Sequence, residues 1–145
     1  MVLHSATHLF HDGDMDAGLR DLVDLDDLLR HWGTREVFWE ELLQRARQQD
    51  LVQPLCYALR YCSRLLGTPV PPQLQAKSVV YAGLPPGALS LMDRLVMTAL
   101  DPSRDNLDSR RAGFGRWLLY LRSHKLRMPM HLLLPHLLRK AAGSD

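Results

Sequence analysis

Apolar residues in this chain recur three and four positions apart almost from end to end, and no stretch alternates apolar and polar residues for long. That spacing gathers side chains on one face of an α-helix, whereas a half-buried strand needs a period of two. Helical spacing runs through residues 2–11, 16–32, 35–49, 54–66, 86–100, 109–126 and 129–141, and residues 72–82 add a short helix. The breaks have mechanisms. Thr34 is placed to N-cap the third helix, Pro54 fits the first turn of the fourth, and Gly67 suits a left-handed C-terminal position before the rigid "TPVPP". Pro85, Pro86 and Gly87 part the next pair, "DPSRDN" reads as a turn, Pro129 opens the last helix and Pro135 kinks it. The expectation is an all-α fold, a compact bundle of about six to eight helices.

A chain of 145 residues, 46% of them hydrophobic, can bury one core or two small helical subdomains sharing an interface. Charge suggests where a division would fall. Residues 1–72 carry 7 Arg against 11 Asp and Glu, while residues 73–145 carry 11 Lys and Arg against 5 Asp, and the switch coincides with the Pro-rich join at residues 68–72. The expected organisation is a helical subdomain at residues 1–70 with a basic helical subdomain at 71–145 packed on it. The opposite charges either attract the halves to one another or face solvent; otherwise the basic half offers a surface to phosphate or another anion.

No apolar run approaches the roughly 18 residues of a bilayer span. The opening "MVLHSATHLFHDGD" carries no basic n-region of a signal peptide. Cys56 and Cys62 stand six apart on different sides of one helix and cannot bridge within it, which fits a reduced compartment. The expectation is a cytoplasmic protein without a membrane partner.

The acidic phrase "LRDLVDLDDLLRHWG", Leu19 to Gly33, decides whether the chain reads as an enzyme. On a strand Asp24 and Asp26 would present two carboxylates on one face, ready to hold Mg²⁺. On a helix they diverge by about 200° and cannot share a metal. The apolar positions Leu19, Leu22, Val23, Leu25, Leu28, Leu29 and Trp32 form a broad helical arc, with Asp24 and Asp27 opposite it, where Arg20 and His31 can pair with them at i,i+4 spacing. The helical reading wins. No Gly-rich phosphate cradle accompanies the acids: Gly-Ser occurs only at Gly143-Ser144, and Gly-Gly never occurs.

Other chemistries are weaker still. His4, His8 and His11 form a stripe at i, i+4 and i+7, but the outer two are about 10.5 Å apart along a helix, too far for one Zn²⁺. At most two could chelate, with Asp12 or Asp14 helping. No histidine follows an arginine with four to six residues between, as a helical RNase of the HEPN type requires. Ser5, Ser63, Ser90 and Ser123 lie in helical patterns without a strained turn, and Cys56 and Cys62 read as core.

The phrases "LHSATHLFHDGD", "GLRDLVDLDDLLRHWG", "FWEELLQRA", "PLCYALRYCSRLLGTPVP" and "LRSHKLRMPMHLLLPHLLRK" resemble, in this order, the C-terminal half of a bacterial family of uncharacterised nucleotidyltransferase-like proteins often linked with exopolysaccharide gene clusters. The resemblance is strong over residues 2–75 and looser to residue 142. It implies that a catalytic half, with its Gly-Ser turn and strand-borne Asp-x-Asp, lies N-terminal to a helical region like this one; this sequence lacks that half. It further implies a helical accessory or substrate-closing module, inert alone and without its own cofactor, whose partner in cis or trans is a catalytic domain using Mg²⁺ and a nucleotide.

Two sets of candidate site residues follow. Asp21 and Asp26 fall within the apolar arc and should be partly buried, so each needs a donor: the His4, His8, His11 stripe, or an arginine such as Arg60 or Arg64. Such a cluster is a structural pin, or the surface turned toward substrate and catalytic partner. The competing expectation is an independent interaction module binding nucleic acid or another anion through Arg110, Arg111, Arg116, Arg122 and Arg127, with Trp117 and Tyr120 interleaved but better read as packing residues.

Overall fold

The computed structural model describes residues 1–12 and 18–100. These residues are all helical in their regular structure, with no strand among them. Six α-helices follow one another: α1 (Val2–Thr7), α2 (Gly18–Trp32), α3 (Glu36–Gln48), α4 (Val52–Tyr61), α5 (Pro72–Ala82) and α6 (Ala88–Leu100). Two π-helical turns, π1 (His8–Asp12) and π2 (Cys62–Leu66), extend α1 and α4. The helices expected at residues 109–126 and 129–141 lie outside the described residues.

Helix α4 is the axis of the packing. Val52, Pro54 to Leu59 and Tyr61 are all buried, which is possible only for a helix with neighbours on every side. Those neighbours are α1, α2, α3 and α5. Against it α2 sets Leu22, Leu25 and Leu29, each fully buried and each contributing about 1.5–3 kcal/mol relative to exposure. Phe10 of π1 meets Tyr57 and Tyr61 at ring-centroid distances of 6.0 and 5.7 Å, and the two tyrosines stack at 6.3 Å. From α6, Met92 and Val96 enter the same core.

The stops show which local expectations hold. Gly67 ends π2 at φ +67°, a left-handed conformation that costs a residue with a Cβ. Pro72 opens α5 in its first turn, where its missing N–H costs no hydrogen bond. Thr34, in contrast, does not cap α3. Its Oγ1 donates to the His31 carbonyl at 3.3 Å, and the N-cap is Arg35 in an extended conformation. The connection from α2 is so short that the threonine hydroxyl reaches the exposed end of the preceding helix instead.

Gly33 at this corner has no room for a side chain. A Cβ there would lie 2.4 Å from both the Leu29 carbonyl oxygen and the ring of Trp39, whose Nε1 donates to the Gly33 carbonyl at 3.0 Å. The contact fixes the angle at which α3 leaves α2.

The buried stripe of α2 is narrower than its sequence arc. Leu28 is half-buried, while Leu19, Val23 and Trp32 remain exposed at 39%, 41% and 42%. Of α2's acids, Asp24 and Asp27 are exposed and Asp21 and Asp26 half-buried, flanking the narrowed stripe.

Candidate functional site

Asp26 stands at the edge of the α2 stripe, where it faces the end of π2. Arg30, one turn along α2, donates from Nε to both carboxylate oxygens at 2.8 and 2.9 Å. The same guanidinium donates from Nη2 to the Leu66 carbonyl at 2.8 Å, satisfying an orphan acceptor at a helix end. Buried Thr68 completes the set by donating to Asp26 Oδ1 at 2.6 Å. Asp26 therefore has an arginine donor, as its position required, but that arginine is Arg30 rather than Arg60 or Arg64, and the second donor is Thr68 rather than a histidine. An i,i+4 arginine is already in reach, and the chain returning after Gly67 brings in Thr68.

Histidines 4 and 8 are exposed, their rings edge to face at 4.4 Å. Beyond Thr7 the chain enters π1, whose wider turn alters the angular spacing on which the three-histidine stripe rested. The His11 side chain lies outside what the structure describes, as do Arg110, Arg111, Arg116, Arg122 and Arg127.

Arg60 and Arg64 do meet a carboxylate, that of Asp93 on α6. Arg60 donates from Nε to Oδ1 at 2.8 Å and from Nη2 to Oδ2 at 2.7 Å, Arg64 from Nη1 to Oδ2 at 2.6 Å, and the Tyr61 hydroxyl to Oδ1 at 3.2 Å. The two-pronged Arg60 hydrogen bond, with help from Arg64 and against the pull of burial, lowers the Asp93 carboxyl to about 2. Burial, reinforced by the adjacent carboxylate, pushes the Tyr61 phenol well above its usual range. The cluster fastens α6 to α4. Its signal was present in the sequence: Asp93 is four residues after Leu89 and three before Val96, on the inward stripe of α6, and Arg60 and Arg64 share one face of the chain opposite it.

The thiols offer no nucleophile. Cys56 and Cys62 are buried and unbridged; burial raises the Cys56 thiol, and burial together with the negative charge of Asp26 pushes Cys62 up to about 12. Mg²⁺ chemistry does not fit the Asp24 and Asp26 pair either. The two stand on a helix, one exposed to solvent and the other enclosed by Arg30 and Thr68. Among the described residues no group of three or more His, Cys, Asp or Glu is placed to hold a metal ion.

Among the described residues a groove of about 460 Å³ lies open to a ligand between the start of α1, the end of α2 and the length of α3. Trp32, Phe38, Leu3 and Leu42 supply apolar walls, and His4, Arg35, Glu41, Arg45 and Gln49 the polar ones. The Arg35 guanidinium lies over the Trp32 ring, 5.4 Å from its centroid. Sequence reasoning placed Trp32 in the core arc and passed over Arg35 and Arg45, because only the sharp turn at Gly33 brings the end of α2 beside α3.

Every residue of this groove falls within a stretch that has relatives. Residues 1–67 match the family model of the uncharacterised nucleotidyltransferases. The matched stretch runs from α1 to Gly67 and so takes in the Asp26 and Arg30 pair and the groove, but neither Thr68 nor α5 and α6. The likeness to the nucleotidyltransferase-like family therefore covers α1 to α4 with π2, Arg60, Tyr61 and Arg64 included, but not Asp93. No curated protein and no solved structure matches the chain. No helix among the described residues is long and apolar enough to cross a membrane.

Proposed function

We propose that the chain is a helical accessory module of a nucleotidyltransferase-like protein, inert in catalysis on its own, that closes over a substrate held by a catalytic domain supplied in cis or in trans. The observation that carries this reading is a combination. Residues 1–67 match a family described as uncharacterised nucleotidyltransferase, yet the Asp24 and Asp26 phrase within them is helical, with Asp24 exposed and Asp26 held by Arg30 and Thr68, an arrangement that does not suit a shared metal. Mg²⁺ and the nucleotide belong, on this reading, to the catalytic domain. The finer setting is a bacterial, cytoplasmic protein of the kind associated with exopolysaccharide gene clusters, its helices corresponding to the C-terminal half of the family.

Co-expression with a nucleotidyltransferase fragment encoded beside this chain is expected to yield a stable complex. The chain alone, given Mg²⁺ and each labelled nucleotide, is expected to form no product above a denatured control. Reproducible transfer that disappears in Asp26→Asn would overturn the reading.

A further inference from the structure

The cations of the described residues fall into two kinds. Arg30, Arg60, Arg64 and Lys77 each hold a carboxylate within 2.6–2.8 Å. Arg35 and Arg45, both in the groove wall, make no ion pair among the described residues. Glu41 is one α3 turn before Arg45, a spacing that permits pairing, yet the two are not joined. Two arginines against one glutamate leave the groove with a net positive charge before His4 is counted, so it attracts an anion. Trp32 stays 42% exposed at one end, a large apolar ring kept in water with Arg35 stacked on it.

Length narrows the ligand. Arg35 and Arg45 are ten residues apart, about 15 Å of rise along the α3 direction, so they serve different parts of the groove. The ring platform of Trp32 and Phe38 belongs to the Arg35 end, and the polar group of Arg45 and Gln49 to the other. A volume of about 460 Å³ suits a small molecule rather than a bare ion.

We infer that this groove binds an elongated organic anion, with an aromatic ring against Trp32 and a carboxylate or phosphate at Arg45. Binding of such a ligand requires no catalytic domain, so it stands or falls separately from the accessory-module reading. Arg45 contributes charge and a forked donor, Trp32 the stacking surface, and Glu41 opposes the ligand's charge.

Titration calorimetry on the full chain tests this with 8-(indol-3-yl)octanoate as the probe, long enough to reach from Trp32 toward Arg45, beside its neutral amide and plain octanoate. The acid is expected to bind at least about fivefold more tightly than either analogue, since one lacks the charge and the other the ring. Arg45→Gln and Trp32→Ala are each expected to weaken the acid by at least about fivefold, and Glu41→Gln to tighten it by about twofold or more. Lys77→Gln, outside the groove, should leave binding unchanged. Circular dichroism melts confirm that each variant folds. Equal affinity for acid and amide, an Arg45→Gln variant that binds as the parent does, a Glu41→Gln variant that binds more weakly, or no heat of binding up to about 10 mM probe would each overturn the inference.

Discussion

At the seam between α4 and α6 the formal charges of Arg60, Arg64 and Asp93 are joined, whereas along α3 Arg35 and Arg45 share a groove with Glu41 and hold no carboxylate among the described residues. Both regions combine arginines with an aromatic side chain, Tyr61 through the shared Asp93 at the seam and Trp32 under Arg35 in the groove. The difference lies in what the fold asks of them. A guanidinium with a carboxylate partner ties one helix to another, and removing the acid leaves its partners stranded. A guanidinium without one can be removed at little cost to the fold and is left free to meet a ligand.

The largest effect that would test this contrast belongs to the corner that builds the groove. Gly33→Ala must push a methyl group against the Leu29 carbonyl and the Trp39 ring, each 2.4 Å from the new carbon. The backbone cannot yield without moving α3, so the cost is expected to be about 2–3 kcal/mol in urea unfolding. A loss below about 0.5 kcal/mol would show that the corner is not rigid, and that the groove has no fixed shape.

The paired seam comes next. Asp93→Ala leaves Arg60 and Arg64 without their acceptor and is expected to cost about 2 kcal/mol, less than for a fully enclosed pair because Arg64 is 48% exposed. Its pH signature follows from the carboxyl's depression from 3.8 to about 2. A depressed acid stabilises the fold above its unfolded value, and that stability is lost as pH falls through the folded value. About 1–2 kcal/mol should therefore disappear between roughly pH 4.5 and pH 2, and Asp93→Asn should lack that part of the acid slope. An unchanged acid limb in Asp93→Asn would place the stabilising charge elsewhere.

The Asp26 pin is smaller. Asp26→Ala removes an acceptor shared by Arg30 and Thr68 and is expected to lower stability by about 1–2 kcal/mol, while Asp24→Ala, at an exposed position, should change it by less than about 0.5 kcal/mol. Equal losses in thermal melts would refute the pin.

These sites differ in how far the sequence reveals them. The helices follow from apolar spacing, and α5 spans Pro72–Ala82 as expected because a proline starts it and Gly83, at φ +56°, ends it. The two π-turns could not be read, since a shift from i+4 to i+5 hydrogen bonding leaves no periodic signature over five residues. The half-burial of Asp21 and Asp26 accords with their wheel positions, but Thr68 is 42 residues from Asp26, and no local pattern announces that contact. Asp93 was legible as a lone acid on an apolar stripe. The groove was not, because its two arginines look like any solvated charge until the turn at Gly33 sets the end of α2 beside α3.

The smallest expected effect is the one that separates the two kinds of arginine. Arg45→Gln removes a charge that holds no ion-pair partner among the described residues, so unfolding free energy should stay within about 0.5 kcal/mol of the parent. Arg60→Gln, by contrast, breaks a two-pronged hydrogen bond to Asp93 and should be destabilising by more than that. If both substitutions cost the same, Arg45 has a structural partner after all and the groove loses its claim to a ligand. If Arg45→Gln is silent in unfolding yet weakens the ring-bearing acid, the same side chain is dispensable to the fold and required by the ligand, which is the combination a binding site produces and a packing contact does not.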